Sequence, residues 1–189
     1  VAIIGESGAG KSTLLHIMSC IDNFDGEYYL DNIDINKLSE SKKSKLRSSK
    51  IGIVLQDFAL IDDFTVFENV MTPLYFNKKI KDKKGSVMRA LKKTGIASLK
   101  AKKVSQLSGG QKQRVAISRA LVTNPEYIFA DEPTGSLDSK TSDEIIKMLF
   151  ELNSNGITIV IVTHNLEIAN QCHHIIEIKD GNIIKDICS

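Results

Sequence analysis

A glycine-rich segment directly after a short apolar run restricts the fold of this chain more than any other stretch. Residues Val1–Ile4 are apolar and predict a buried strand, and the pattern G-x-x-x-x-G-K-[ST] follows at once. A helix is predicted next, at Lys11–Ser19, so loop N–H groups and the positive end of the helix dipole converge on one point. This arrangement predicts a phosphate site. Its predicted residues are Gly5, Glu6, Ser7, Gly8, Ala9, Gly10, Lys11, Ser12 and Thr13.

Three side chains of this site have predicted contacts with a nucleoside triphosphate. Lys11 reaches the β- and γ-phosphates, Ser12 coordinates Mg²⁺, and Thr13 reaches the α-phosphate. The alternative is a glycine-rich turn that matches the pattern by chance.

Strands and helices are predicted to alternate along the chain. The predicted strands are Val1–Ile4, Tyr28–Leu30, Ile51–Leu55, Tyr127–Ala130, Ile157–Val162, Ile175–Ile178 and Ile183–Ile187. The predicted helices are Lys11–Ser19, Leu38–Ser48, Phe67–Phe76, Ser86–Thr94, Gly110–Val122, Thr141–Leu152 and Leu166–Gln171. Short apolar strands separated by helices indicate an α/β fold, a mostly parallel sheet with helices on both faces. The last two strands are predicted to form a hairpin, because Asp180-Gly181-Asn182 suits positive φ angles.

Composition excludes several classes of protein. With 42% hydrophobic and 25% charged residues, the chain is neither disordered nor fibrous. No apolar run approaches the roughly 18 residues of a membrane helix, so we expect no membrane span, and we expect no secretory signal. Three cysteines without a C-x-x-C pair favour reduced thiols in a cytoplasm over disulfides or a zinc site.

Basic residues are concentrated in two segments. Residues Lys78–Lys103 contain eleven basic residues and one acid, Asp82, and residues Ser41–Lys50 contain five basic residues and no acid. One interpretation is a surface for nucleic acid or anionic lipid; the other is solvated helix faces. No aromatic residue is interleaved with the lysines of the longer segment, as base stacking requires, so we expect no nucleic-acid partner.

Two carboxylates follow the predicted strand Tyr127–Ala130. Asp131 and Glu132 stand where a phosphate site needs a metal ligand and a base, so Asp131 is predicted to hold Mg²⁺ and Glu132 to activate the attacking water. A glutamate directly after the metal-binding aspartate favours hydrolysis over transfer to a second substrate.

A third motif carries a family resemblance. Leu107-Ser108-Gly109-Gly110-Gln111 opens a predicted amphipathic helix, downstream of the phosphate loop. With these motifs, the chain resembles the ABC ATPases, the nucleotide-binding domains of ABC transporters, over essentially its whole length. The resemblance implies a P-loop fold and ATP hydrolysis with Mg²⁺.

Further positions match the family in order. Gln56 matches the Q-loop glutamine near Mg²⁺ and the water, Asp138 matches the D-loop aspartate, and His164 matches the switch histidine. The resemblance implies that the signature residues Ser108, Gly109, Gly110 and Gln111 bind ATP held by a second subunit. Two ATP molecules are then buried in a head-to-tail dimer, most simply a homodimer.

The resemblance also implies domains, location and partners. It divides the chain into a RecA-like core, about 1–55 and 123–189, and a helical subdomain, about 56–122. A membrane permease subunit is the expected partner, at the cytoplasmic face of the membrane. The loop at 57–64, which carries several apolar residues, is either its contact or a partly buried loop. The stretch Glu68-Asn69-Val70 is similar to lipoprotein-releasing and macrolide-export ATPases, and Phe58-Ala59-Leu60-Ile61-Asp62-Asp63 is similar to bacteriocin-export ATPases. These similarities imply export of peptide, lipoprotein or antimicrobial cargo.

Family members have additional strands before the one that corresponds to Val1–Ile4, so the resemblance implies that an N-terminal antiparallel segment, with the residue that stacks on adenine, is largely missing. Two alternatives to a transporter subunit are a non-transport ABC ATPase in translation or DNA repair, and a nucleotide-binding regulator without turnover. The absence of a tandem domain or a long coiled-coil insertion disfavours the translation or repair factor. The presence of Glu132 and His164 disfavours a regulator without turnover.

Overall fold

The computed structural model describes residues 1–188 and is organised around one six-stranded sheet with the strand order β4-β5-β6-β1-β7-β8. Its strands are β1 (Ala2–Ile4), β4 (Ile51–Val54), β5 (Tyr127–Asp131), β6 (Thr158–Val162), β7 (His174–Lys179) and β8 (Asn182–Cys188). A separate two-stranded hairpin consists of β2 (Tyr29–Leu30) and β3 (Ile33–Asp34). The first five strands of the order pair in parallel, and β8 pairs antiparallel with β7. The predicted α/β class is therefore confirmed.

Residues 1–188 contain seven α-helices between the strands. They are α1 (Lys11–Met18), α2 (Glu40–Lys50), α3 (Val66–Met71), α4 (Lys83–Lys93), α5 (Gly109–Leu121), α6 (Ser139–Ser154) and α7 (Leu166–Ala169). Short 3₁₀ helices lie at Thr72–Tyr75, Ala97–Leu99 and Val104–Gln106. Within residues 1–188, every helix is too short or too polar to span a bilayer.

The interior residues of β5 and β6 are apolar because both faces of these strands are covered. In β5, Ile128 and Ala130 point into a core formed with α3, α4, α5 and α6. Phe129, between them, points into a second core that includes Leu15 of α1 and Leu46 of α2. Side chains alternate along a strand, so two buried faces require an uninterrupted apolar run.

Capping residues shift several helix boundaries from their predicted positions. The predicted helix Phe67–Phe76 begins at Val66, after a Thr65–Glu68 capping box, and continues as a 3₁₀ helix from Thr72 with Pro73 near its start. Helix α4 begins at Lys83, earlier than predicted, because the Asp82 carboxylate accepts from the Gly85 N–H at 2.9 Å. Strand β3 was not predicted.

The terminal hairpin forms as its turn residues predicted. Asp180 and Gly181 have φ angles of 49° and 76°, the left-handed values that favour aspartate and glycine. The turn lies against the glycine-rich loop, since the Gly181 N–H donates to the Ala9 carbonyl at 3.2 Å.

Candidate active site

The glycine-rich loop between β1 and α1 is shaped by a close approach to β7. A Cβ atom at Gly5 would lie 2.2 Å from the Ile178 carbonyl oxygen, and Gly5 has a φ of 152°. Gly8 and Gly10 also have positive φ, at 82° and 96°. Glycine is therefore required at Gly5 both by backbone conformation and by the packing of β7.

Lys11 lies over this loop. Its Nζ donates to the carbonyl oxygens of Gly5 and Glu6 at 2.9 and 2.8 Å. Gly10, the N-cap of α1, has no side chain to accept from the first-turn N–H groups of the helix. The loop thus presents an ammonium group and free backbone donors, the combination that binds a phosphate.

Asp131 at the end of β5 is 9% exposed, and its Oδ1 atom is buried without a hydrogen-bond partner within residues 1–188. A buried carboxylate oxygen without a donor is costly unless a cation or a water satisfies it. Ser12 and Gln56 line the same cavity and offer two further oxygen ligands. This oxygen-rich set fits Mg²⁺, which prefers such ligands together with substrate phosphates and water.

Glu132 is held in place by the end of β6. Its φ of 43° is unusual for a residue other than glycine, and its N–H donates to the Val162 carbonyl at 2.9 Å. Its Oε1 atom accepts from the His164 backbone N–H at 3.0 Å and lies 2.8 Å from His164 Nδ1. Glu132 is thus oriented by contacts with a residue 32 positions away.

The contact between Glu132 and His164 leaves the imidazole accessible. The His164 side chain is 74% exposed, whereas that of Glu132 is 14% exposed. When Nδ1 donates to the carboxylate, Nε2 is the free ring nitrogen and acts as an acceptor in the neutral ring. A histidine in this position can both orient the carboxylate and contact a ligand.

One cavity of about 410 Å³ brings most of these side chains together. Its lining residues are Ser7, Gly8, Gly10, Lys11, Ser12, Thr13, Gln56, Asp131, Glu132, Val162 and His164. Gly5, Glu6 and Ala9, also predicted to bind phosphate, belong to the loop but do not line the cavity in this conformation. The cavity therefore brings together the predicted phosphate loop, the predicted metal ligand Asp131 and the carboxylate of Glu132, which His164 orients.

The predicted signature residues lie outside that cavity. Ser108 is the N-cap of α5 and forms a capping box with Gln111: Ser108 Oγ accepts from the Gln111 N–H at 3.4 Å. The Gln111 side chain in turn accepts from the Ser108 N–H at 3.2 Å. Both residues are thus engaged in starting their helix, and the structure does not bring them to the phosphate loop of the same chain.

The start of α5 packs tightly against the start of α6. A Cβ at Gly110 would lie 2.4 Å from Thr141 Cγ2, and one at Gly109 would lie 3.3 Å from Leu137 Cδ2. Asp138 is the N-cap of α6 and accepts from the Thr141 N–H and hydroxyl at 3.0 and 2.6 Å. The Thr141 hydroxyl, followed by the Thr141 N–H, lowers the pKa of Asp138.

Arg119 of α5 was missed by sequence reasoning. Its guanidinium donates to the carbonyl oxygens of Phe58, at 2.8 Å, and Ala59, in the loop that follows Gln56. Both loop residues have positive φ, at 63° and 44°. Burial lowers the pKa of Arg119, and nearby Asp57 opposes that shift. A lone arginine on an amphipathic helix carries no sequence signal for such a contact.

Comparisons with known proteins agree on one family. The sequence profile described as ABC transporter matches residues 1–135. The ABC transporter ATP-binding protein YvrO of Bacillus subtilis is 43% identical over 188 residues, 98% of this chain and 82% of YvrO. The macrolide export ATP-binding/permease protein MacB of Mannheimia succiniciproducens is 45% identical over 188 residues, which are 98% of this chain but only 29% of MacB.

A solved structure matches the whole fold. The ATP-binding cassette MJ0796 of Methanocaldococcus jannaschii, a dimer in a post-hydrolysis state bound to ADP and Pi, has a TM-score of 0.90 and 42% identity to this chain. The match covers 99% of this chain and 84% of the MJ0796 chain.

Proposed function

This chain belongs to the ABC transporter family and is an ATP-binding ATPase, and on that premise we propose that it drives a membrane permease as half of a head-to-tail dimer. The observation that carries the proposal is the separation of two anion sites. The phosphate loop lies in the 410 Å³ cavity, whereas the exposed N-terminal end of α5, at Ser108, lies outside it. A second copy supplies the missing helix end.

The phosphate loop binds the triphosphate of ATP in this proposal. Lys11 exchanges its two carbonyl acceptors for the β- and γ-phosphates, which are stronger acceptors for an ammonium group. Thr13 contacts the α-phosphate. The backbone of Gly5–Gly10 and the start of α1 provide the remaining donors.

Three residues hold Mg²⁺: Ser12, Gln56 and Asp131. Bound Mg²⁺ neutralises charge on the phosphates. The unpaired Oδ1 of Asp131 is the acceptor that this role requires, and it faces no competing donor among the described residues.

Glu132 takes the proton from the water that attacks the γ-phosphoryl group. The attack forms an O–P bond as the bond to the β-phosphate oxygen breaks, and ADP leaves with that electron pair. His164 positions the Glu132 carboxylate through the 2.8 Å contact of its Nδ1 atom. Its Nε2 atom hydrogen-bonds the γ-phosphate when the ring carries a proton on both nitrogens, because a phosphate oxygen needs a donor. Gln56 helps to place the water.

The dimer completes each site. Ser108, Gly109, Gly110 and Gln111 of one copy bind the γ-phosphate held by the other, and Asp138 positions the interface. In this proposal the core comprises about 1–55 and the residues from 123 onward, and the helical subdomain comprises about 56–122. Closure on ATP binding and opening after hydrolysis move the permease between states.

The loop after Gln56 is the proposed permease contact. It exposes the apolar side chains of Ile61 and Phe64, at 43% and 41%. Similarity to MacB, which is named as a macrolide export protein, supports export as the direction. The proposed cargo is a peptide, a lipoprotein or an antimicrobial compound. The permease places the subunit at the cytoplasmic face of the membrane.

The test is the molar mass of Glu132→Gln by light scattering, with and without Mg-ATP. Without the base, ATP binds but is not hydrolysed, so we expect the mass to double with Mg-ATP. The matched control, Glu132→Gln with Lys11→Ala, loses ATP binding and stays monomeric. A monomer under all conditions, with native circular dichroism and saturable ATP binding, contradicts the dimer; hydrolysis near the wild-type rate contradicts the role of Glu132.

A further inference from the structure

The fold joins two basic segments that are separate in the sequence. The buried side chain of Asn77 donates to the Ser48 carbonyl at 2.9 Å, which fixes the segment after α3 against the end of α2. As a result Lys45, Lys78 and Lys79 line one cavity of about 290 Å³.

Two exposed aromatic rings border these lysines. Tyr75 and Phe76 are 67% and 74% exposed, the highest values among the large apolar side chains of residues 1–188, and Phe76 lines the same cavity as the lysines. Lys83 Nζ lies 5.4 Å from the centroid of the Tyr75 ring. We call this set the basic aromatic surface: Lys45, Tyr75, Phe76, Lys78, Lys79 and Lys83.

The positive charge of this surface is not neutralised by acids of the chain. Among the described residues, Lys45, Lys78, Lys79 and Lys83 have no carboxylate within 4.0 Å. The one acid nearby in sequence, Asp82, accepts from the Gly85 N–H and pairs with Arg89 at 3.3 Å, and these two contacts lower its pKa.

We propose that the basic aromatic surface binds anionic lipid headgroups directly, with the Phe76 ring entering the headgroup region. Clustered lysines are attracted to anionic membranes, and aromatic side chains are favoured at the interface between lipid and water. A nucleic acid fits less well, because Lys83 contacts the Tyr75 ring and leaves only Phe76 for stacking, whereas single strands are bound by successive stacked bases. The proposal rests on the proposed function, which places the subunit beside a membrane.

Co-sedimentation with vesicles tests this contact. The full chain is mixed with vesicles of phosphatidylcholine alone, or with about 30% phosphatidylglycerol, at low and physiological salt. We expect binding only to the anionic vesicles, weaker as salt rises because counterions screen the charges. Absence of binding to anionic vesicles, or equal binding to neutral ones, overturns the proposal.

Two charge-matched variants locate the surface. Lys78→Gln/Lys79→Gln/Lys83→Gln removes three of its lysines, and we expect about a hundredfold weaker binding, since each lysine near an anionic surface contributes roughly fivefold. The control, Lys102→Gln/Lys147→Gln/Lys185→Gln, removes three exposed lysines elsewhere and should bind vesicles like the wild type at matched ionic strength. Equal losses in the two variants would show a general charge effect and overturn the proposal.

A single substitution and a competitor complete the test. Phe76→Ser keeps every charge and should weaken vesicle binding while leaving ATP hydrolysis unchanged, because Phe76 does not line the ATP cavity. Unchanged binding by Phe76→Ser removes the ring from the proposal. Binding of poly(U) without binding of vesicles would favour nucleic acid instead. ATP-dependent dimerisation of Glu132→Gln is measured without lipid, so either proposal can fail alone.

Discussion

Replacement of Gly5 by alanine should destabilise the fold sharply. The new Cβ would lie 2.2 Å from the Ile178 carbonyl oxygen, whereas real Cβ contacts essentially never fall below 3.0 Å. Neither side can give way easily, because β1 and β7 are paired at Ile3–Ile176 and Ile4–Glu177. The clash therefore has to be relieved by separating two central strands.

The matched control is Gly26→Ala. Gly26 also has a positive φ, 119° against 152° at Gly5, but nothing lies within 4 Å of its Cβ position. Both variants bear the strain of a disfavoured backbone conformation, about 1–3 kcal/mol. Only Gly5→Ala adds overpacking, about 1–3 kcal/mol more.

Thermal denaturation followed by circular dichroism measures the difference. For a domain of this size, 1 kcal/mol corresponds to about 2–4 °C in Tm, so the additional overpacking of about 1–3 kcal/mol should make Gly5→Ala melt about 2–12 °C below Gly26→Ala. Equal melting temperatures would refute the reasoning, since they would show that β7 does not require glycine at this position.

Two further predictions concern Asp138 and Arg119, which do not line the ATP cavity. Asp138→Ala should be less stable than the wild type at neutral pH, and the deficit should shrink in acid. The Thr141 hydroxyl lowers the pKa of folded Asp138, so the ionised carboxylate stabilises the fold above the unfolded pKa of about 3.9. This stabilisation is lost as pH falls through the folded pKa. Urea denaturation across that pH range measures the difference in stability, and a difference independent of pH would contradict the cause. Arg119→Met removes the hydrogen bonds to the loop after Gln56. We expect kcat to fall about tenfold, because the free energy of one charged hydrogen bond corresponds to about that factor in rate. ATP affinity should change little. Arg119→Lys should recover part of kcat. Steady-state ATPase assays measure kcat, and equilibrium nucleotide binding measures ATP affinity. A loss of affinity without a loss of kcat would contradict the positioning role.

Sequence patterns predicted the local elements because their causes are local. The glycine pattern at residues 5–12, the apolar run into Asp131 and the Asp180–Asn182 turn each depend on a few neighbouring residues. Boundaries were less accurate where a cap decides them, as at Asp82 and at Thr65. The roles of the candidate site residues stay predictions until variants are measured.

Contacts between distant residues could not be read from the sequence. Glu132 meets His164 because β5 and β6 are adjacent parallel strands, paired from Tyr127–Thr158 to Asp131–Val162, so their carboxyl ends lie together. Each of the central strands is an apolar run, and such runs do not specify which of them are neighbours.

Short-range patterns along the chain were therefore sufficient to predict the phosphate loop, the acidic strand end and the α/β class, and the family resemblance marked the signature helix. Three features depend on long-range packing. Ser108 lies outside the cavity, and Arg119 donates to the loop after Gln56. The two basic segments lie together because Asn77 donates to the Ser48 carbonyl. The physical reason is that dihedral preferences and caps act over a few residues, whereas strand order and helix docking depend on how every apolar surface is buried at once.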